Sequence, residues 1–135
     1  MVITVRSVPI LVVDHAAHTF ALVEHARLYA SFQSDRAAIT GQEAAVVAYG
    51  PEGDVIGVIA WEKEDSDCTA WVALVAVAHH QRRRGVFAQL WSALAREVGC
   101  VSVRLGAAVD NTPARAAYES VGLRATFVIY EGALA

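Results

Sequence analysis

The chain has 135 residues, of which 56% are hydrophobic and 19% charged, and a formal net charge of -3. That length suits one domain, 1–135, with enough apolar residue for a core of its own. No apolar run reaches the roughly 18 residues of a membrane span without a charge or glycine. The acidic balance also argues against a nucleic-acid-binding surface.

The opening stretch, MVITVRSVPILVVDH, lacks a leading basic region and a small-residue cleavage site, so it is expected to be structural rather than a signal peptide. Val2 to Val5 reads as a short strand, with Pro9 as a break. Asp14 is placed to cap a helix running to about Gln33, and residues 34–42 read as a loop. Ala44 to Tyr49 and Asp54 to Trp61 flank Gly50-Pro51-Glu52-Gly53 and form an antiparallel hairpin. The acidic segment Glu62 to Asp67 reads as a turn into the next strand. Trp71 to Ala78 is an unbroken apolar run with Trp and Val, the pattern of a strand buried on both faces. After Gly85 the apolar residues Val86, Leu90 and Leu94 recur at helical spacing, with Phe87 and Trp91 beside them. Val101 to Leu105 is a strand. Asn111-Thr112-Pro113 opens a second C-terminal helix to about Ser120, with the proline in the first turn. Gly122 ends that helix, and Leu123 to Tyr130 reads as a last strand.

This order predicts a mixed α/β fold with a central, mostly antiparallel sheet, one parallel crossover from Trp71 to Leu105, and flanking helices. A ligand is expected at the C-terminal end of the Trp71–Ala78 strand, where the sheet order reverses. The two cysteines, Cys68 and Cys100, lack metal-ligand spacing and suggest reduced thiols in a cytoplasmic protein. His79 and His80 are adjacent in a turn with no third ligand in view, so no metal is expected.

Charge is unevenly divided. Residues 1–67 hold ten acids against four bases, whereas residues 68–135 hold seven bases against four acids. The basic half contains His79-His80-Gln81-Arg82-Arg83-Arg84-Gly85, between a strand and a helix start. Backbone N–H groups at a helix N-terminus attract anions, and arginines add charge-assisted hydrogen bonds, so this turn suits phosphate. The acidic half suits a cationic substrate on the opposite wall, although an uneven solvated surface would give the same count. An arginine run could equally be a solvated turn or contact nucleic acid. No Gly-Lys-Ser/Thr or Gly-x-Gly-x-x-Gly accompanies it to suggest a nucleotide loop or a dinucleotide fold.

Two stretches in register resemble the GNAT family of N-acetyltransferases. Val77-Ala78-His79 followed by Arg82-Arg83-Arg84-Gly85-Val86-Phe87 is similar to the family's Val-x-Pro and Gln/Arg-x-x-Gly-x-Gly/Ala cofactor motif. His79 stands in place of proline, and Phe87 in place of the last small residue. Asn111, Ala114, Tyr118, Glu119 and Gly122 match a second signature, Asn-x-x-Ala-x-x-x-Tyr-Glu-x-x-Gly-Phe, with Leu123 in place of phenylalanine. A Phe87 ring turned to the core leaves its N–H available, whereas one turned outward crowds the cofactor.

The resemblance implies a GNAT-like acyl-CoA N-acyltransferase fold and transfer of acetyl from acetyl-CoA to a primary amine of a small molecule or peptide by direct attack. It implies that the amides of Arg82, Arg83, Arg84, Gly85, Val86, Phe87 and Ala88 hold the pyrophosphate. Val75 and Val77 would pair with the pantetheine arm as an added strand would, and Asn111 would bind its amides. Tyr118, whose hydroxyl ordinarily titrates near ~10, suits a general acid for the departing thiolate. Glu62, acting through water, is the candidate base, with Glu24 behind it. Asn111 could instead be a helix cap, Tyr118 a half-buried tyrosine and Glu62 a surface charge. The apolar composition and short tail suggest a homodimer. The competing class is a module that binds CoA or nucleic acid without turnover.

Overall fold

A computed structural model of the protein describes residues 4–9, 20, 44–64, 69–100 and 102–134, with only the backbone described for 4–9 and for Glu64. Five strands form one sheet in chain order: β1 (Thr4–Pro9), β2 (Ala44–Tyr49), β3 (Val55–Glu64), β4 (Thr69–Val77) and β5 (Ser102–Arg104). The first four pair antiparallel and β4 pairs β5 in parallel. The parallel step is made by helix α1 (Val86–Glu97), which carries the chain back from the end of β4 to the start of β5. Helix α2 (Thr112–Ser120) follows β5.

Local chemistry explains these elements. The β2–β3 hairpin closes through the Gly50 N–H to the Asp54 carbonyl at 2.8 Å and the Gly53 N–H to the Gly50 carbonyl at 3.0 Å. Gly53 has φ +83°, which a residue with a Cβ adopts only under strain. Pro9 closes β1, where its missing N–H is tolerated because β1 lies at the end of the strand order.

Alternation along the strands covers both faces of the sheet. Val46, Ala48, Ile59, Trp61 and Val72 pack with Val86, Leu90, Ala93 and Leu94 of α1. The other face gathers Ala45, Val47, Val58, Ala60, Leu74 and Ala76, with Phe20 packed against it. Phe20 is helical. The rest of the helix expected over 14–33, the loop after it, and Glu24 lie outside the described residues.

Four expectations differ from the structure. The first strand, β1, runs on through Pro9 rather than ending at Val5. Glu62 to Glu64 belong to β3 rather than to a turn, because they pair with Thr69–Trp71 of β4. The strands follow in chain order, so no reversal of sheet order marks the ligand end of β4. Leu123 to Tyr130 forms no strand: these residues carry the backbone onward without a ladder partner among the described residues.

One glycine sets how closely α1 approaches the sheet. A Cβ at Gly57 would lie 2.9 Å from Leu90 Cδ1 and 3.0 Å from Val86 Cγ1. Both of those side chains are buried, so neither has free space to yield. Gly57→Ala should therefore lower stability by about 1–3 kcal/mol through overpacking, read as a lower urea midpoint at an unchanged slope. An unchanged midpoint would mean that α1 is not seated on Gly57.

Candidate active site

The ladder between β4 and β5 has only three register positions, Thr69 with Ser102, Ala70 with Val103 and Trp71 with Arg104. A Thr69–Ser102 hydroxyl contact at 2.8 Å pins its start. Beyond Trp71, β4 runs on for six residues without β5 beside it. The Ala78 N–H donates to the Ile56 carbonyl at 2.8 Å, and antiparallel hydrogen-bonded pairs alternate. With Gly57 opposite Val77 and Ile59 opposite Val75, the main-chain groups of Ala76 and Leu74 therefore face β3. Those of Val77 and Val75 face the open edge. Arg82 Nε donates to the Val77 carbonyl at 3.3 Å, which shows that this carbonyl points away from β3. Between the Ala60–Leu74 and Trp61–Val72 pairs, Ala73 is left unpaired as a bulge.

The open edge leads directly to the arginine turn. His79–Gln81 form a single 3-10 turn, and Arg82 is extended. Arg83 has φ 63°, an uncommon conformation for a residue with a Cβ. Gly85, at φ 80°, is the N-cap of α1 and leaves space around it. No side chain caps α1 and no acid lies in its first turn. The first intrahelical bond runs from the Gln89 N–H to the Gly85 carbonyl at 3.1 Å, so the Val86, Phe87 and Ala88 amides precede it. Arg82, Arg83, Arg84 and Gly85 are exposed around these amides. Amide donors and the positive end of a helix dipole, beside three exposed arginines, suit a diphosphate.

Helix α2 begins differently. The Ala114 N–H donates to Asn111 Oδ1 at 3.3 Å, so Asn111 is its N-cap. Arg115 Nη1 donates to the Val109 carbonyl at 2.8 Å and ties the preceding loop to the helix. At the other end the Gly122 N–H reaches the Glu119 carbonyl at 3.0 Å and the Leu123 N–H reaches the Tyr118 carbonyl at 3.1 Å. With Gly122 at φ +93°, this is a Schellman closure. It fixes the turn that carries Tyr118.

The Phe87 ring packs against the α1 face of the core. Its centroid lies 5.7 Å from that of Trp91 and 6.0 Å from that of Tyr118. The ring thus fills the space between α1 and α2 and brings half-buried Tyr118 close to the uncapped start of α1. Glu62 lies elsewhere, exposed on β3 opposite Trp71. That is roughly 7 Å along the strand from the Ala73 bulge. The structure therefore brings Val75, Val77 and Arg82 to Ala88 along one edge and one helix start, with Tyr118 across the Phe87 ring; Asn111 is placed only as the cap of α2, and Glu62 lies exposed on β3. Sequence reasoning missed Gly57, which seats α1, and the Ala73 bulge. A glycine inside a strand pattern was the available signal for the first.

A family model described as "Acetyltransferase (GNAT) family" matches residues 12–123. The chain belongs to this family. Membership of this acetyltransferase family makes it an acyltransferase that moves acetyl from acetyl-CoA to an amine. An aminoglycoside acetyltransferase, HMB0005, from an uncultured soil metagenomic sample is similar in fold over 100% of both chains, at TM-score 0.69 and 19% identity. The aminoglycoside N-acetyltransferase AAC(6')-Iy, solved with CoA, is similar over 96% of this chain and 99% of its own, at TM-score 0.67 and 19% identity. A ribosomal-protein-alanine N-acetyltransferase from Brucella melitensis biovar Abortus 2308 is similar over 97% of this chain and 100% of its own, at TM-score 0.65 and 22% identity. No curated protein sequence matches the chain. In this GNAT chain no helix among the described residues is long and apolar enough to cross a membrane.

Two substitutions test how α2 is held. Asn111→Ala should cost about 1 kcal/mol of stability through the lost cap, and Gly122→Ala about 1–2 kcal/mol through a left-handed residue with a Cβ. Denaturant melts read both. If neither variant shifts the midpoint, the two ends do not position Tyr118.

Proposed function

We propose that this GNAT domain, spanning residues 1–135, is a cytoplasmic N-acetyltransferase for a cationic primary amine on a small molecule or peptide. The observation that carries the reading is the continuity of the open β4 edge with the uncapped start of α1. Tyr118 lies across the Phe87 ring from that helix start. Acetyl-CoA supplies the activated acyl group.

In this reading the amides from Arg82 to Ala88 and the arginine side chains hold the pyrophosphate. The Arg82 bond to the Val77 carbonyl anchors the turn, so its remaining guanidinium donors are held toward the anion. The outward main-chain groups of Val75 and Val77 bind the pantetheine amides as a neighbouring strand would. Asn111 caps α2 through Oδ1, which leaves its Nδ2 donors for the same arm. The open edge ends where the β4–β5 ladder begins, so the acyl end is directed to the Ala73 bulge, where a strand N–H stabilises the carbonyl oxygen as negative charge develops. Tyr118 donates its hydroxyl proton to the departing thiolate. Glu62, reaching the site through water, takes the proton of the attacking ammonium, and the acidic N-terminal half draws the cationic acceptor. No metal ion or nucleic acid takes part, and the working unit is a homodimer.

Acetyl-CoA at 100 times its dissociation constant should stabilise the protein by about 2.7 kcal/mol, read as a rise in melting temperature, with no rise from an oligonucleotide. A shift with the oligonucleotide alone would reject the reading.

Tyr118→Phe should lower kcat by about 10²-fold or more while the dissociation constant of CoA stays within twofold. An unchanged kcat removes Tyr118 from the chemistry. Loss of CoA binding instead would make its role packing against Phe87.

A further inference from the structure

Arg104 stands apart from the arginines of the turn. It lies in register with Trp71 of β4, at the last rung before the two strands part. Val77 is six residues further along β4, roughly 20 Å away along the strand. A cofactor gripped at the start of α1 therefore leaves the Arg104 guanidinium unused. Arg104 is exposed, and so is Glu62, which is in register with Trp71 from the β3 side. Trp71 is half-buried between them.

Residues in register across a sheet share a face. Ala70, Val72 and Trp61 belong to the core under α1, and Val103 and Leu105 pack against it. Side chains alternate along a strand, so Glu62, Trp71 and Arg104 all turn to the face away from α1. They form one row across three strands: a carboxylate, an indole and a guanidinium, with about 10 Å between the outer Cα positions. Ala60 and Leu74, the next pair on this face, are buried. The row is thus where the apolar cover of the face gives way to charge.

The α1 side of the open edge is filled, since Val75 and Val77 turn into the same core as Val86, Phe87 and Trp91. An acyl group lying along the edge at the Ala73 bulge is therefore open to attack from the other face. The row lies on that face, about 7 Å along the strand from the bulge.

We infer that this row is the acceptor platform and that the acceptor is an amino acid. Its ammonium lies on the Glu62 side, its carboxylate takes paired hydrogen bonds from Arg104, and its carbon body covers the Trp71 ring. The inference rests on the acetyl transfer proposed above and names its substrate class. The opposed charges decide that class. An amine bearing a carboxylate satisfies both ends of the row, whereas a plain amine leaves Arg104 unpaired and a second ammonium meets like charge. In the transfer the ammonium gives one proton through water to Glu62. The freed nitrogen lone pair then forms the C–N bond as the C–S bond breaks. The thiolate takes the Tyr118 proton and the second nitrogen proton returns to Tyr118, leaving an N-acetyl amino acid and CoA.

The full-length protein is assayed for CoA release with acceptors matched in body and differing only in the carboxylate: phenylalanine beside phenethylamine, leucine beside isoamylamine, and lysine beside cadaverine. In every pair that turns over, kcat/KM should favour the amino acid by about 10-fold or more. Arg104→Gln should shrink that ratio by about 10-fold or more through the KM of the amino acid, with little change in kcat. Arg104→Glu should invert the preference toward the plain amine. Should a variant fail to fold, the wild type gives a second reading. With CoA bound, the acetylated amino acid of the preferred pair should raise the melting temperature, and the acetylated plain amine should not. Plain amines used as well as amino acids, an unchanged ratio in Arg104→Gln, or an equal fall in kcat for both members of a pair would overturn the inference and leave acetyl transfer standing. Turnover of no pair would overturn it as well, and the melting shift with acetyl-CoA then judges the enzymatic reading separately.

Discussion

The site depends on a parallel ladder that stops early. Thr69–Trp71 and Ser102–Arg104 hold the two strands together at one end. From Val72 onward β4 continues alone, still held on its other side by β3 as far as the bond between Ala78 and Ile56. A longer ladder would have satisfied the outward amides of Val75 and Val77, and the sheet would have no edge to offer a ligand. A shorter one would leave β5, and the loop leading to Asn111, without a fixed place. β4 is thus paired incompletely on one side and along its length on the other.

Helix α1 connects this edge to the core. Its buried residues Val86, Leu90, Ala93 and Leu94 stack on the sheet face beside Gly57, which allows close approach. Its first turn is left without cap or acid, surrounded by arginines. The same element is therefore rigid where it packs and electrostatically unsatisfied where it begins. Packing at Leu90 and Val86 holds the uncapped amide donors in a fixed place, so no loop has to be ordered there. The contrast with α2, whose start is closed by its own Asn111, comes from residue choice at the two N-caps, glycine in one and asparagine in the other.

Phe87 shows how a departure from a family pattern is absorbed. A large side chain where a small one is usual does not block the helix start, because its ring turns to the core, Trp91 and Tyr118. The backbone N–H stays where it was, and the ring becomes the spacer between the two helices. The C-terminal stretch, Leu123 to Tyr130, is the other departure. Its composition is that of a strand, yet its rings remain in solvent.

Much was legible in the sequence because the signals were local. The hairpin at Gly50–Gly53, the apolar strand before the arginines, the helical spacing after Gly85 and the Asn111 and Gly122 helix ends all follow from neighbouring residues and backbone preference. So does the membership that the two motifs suggested, which the match over residues 12–123 bears out. The sequence alone could not say that the Glu62–Glu64 acids extend β3, since that depends on Thr69–Trp71 lying opposite them. Nor could it find the bulge at Ala73, the contact Gly57 makes possible, or the direction of the Phe87 ring. Local propensity determined what each segment is. Only the tertiary structure decided which edge stays open and which side chains meet across it, because pairing, close approach and ring orientation are properties of segments distant in the chain and have no signature within either one.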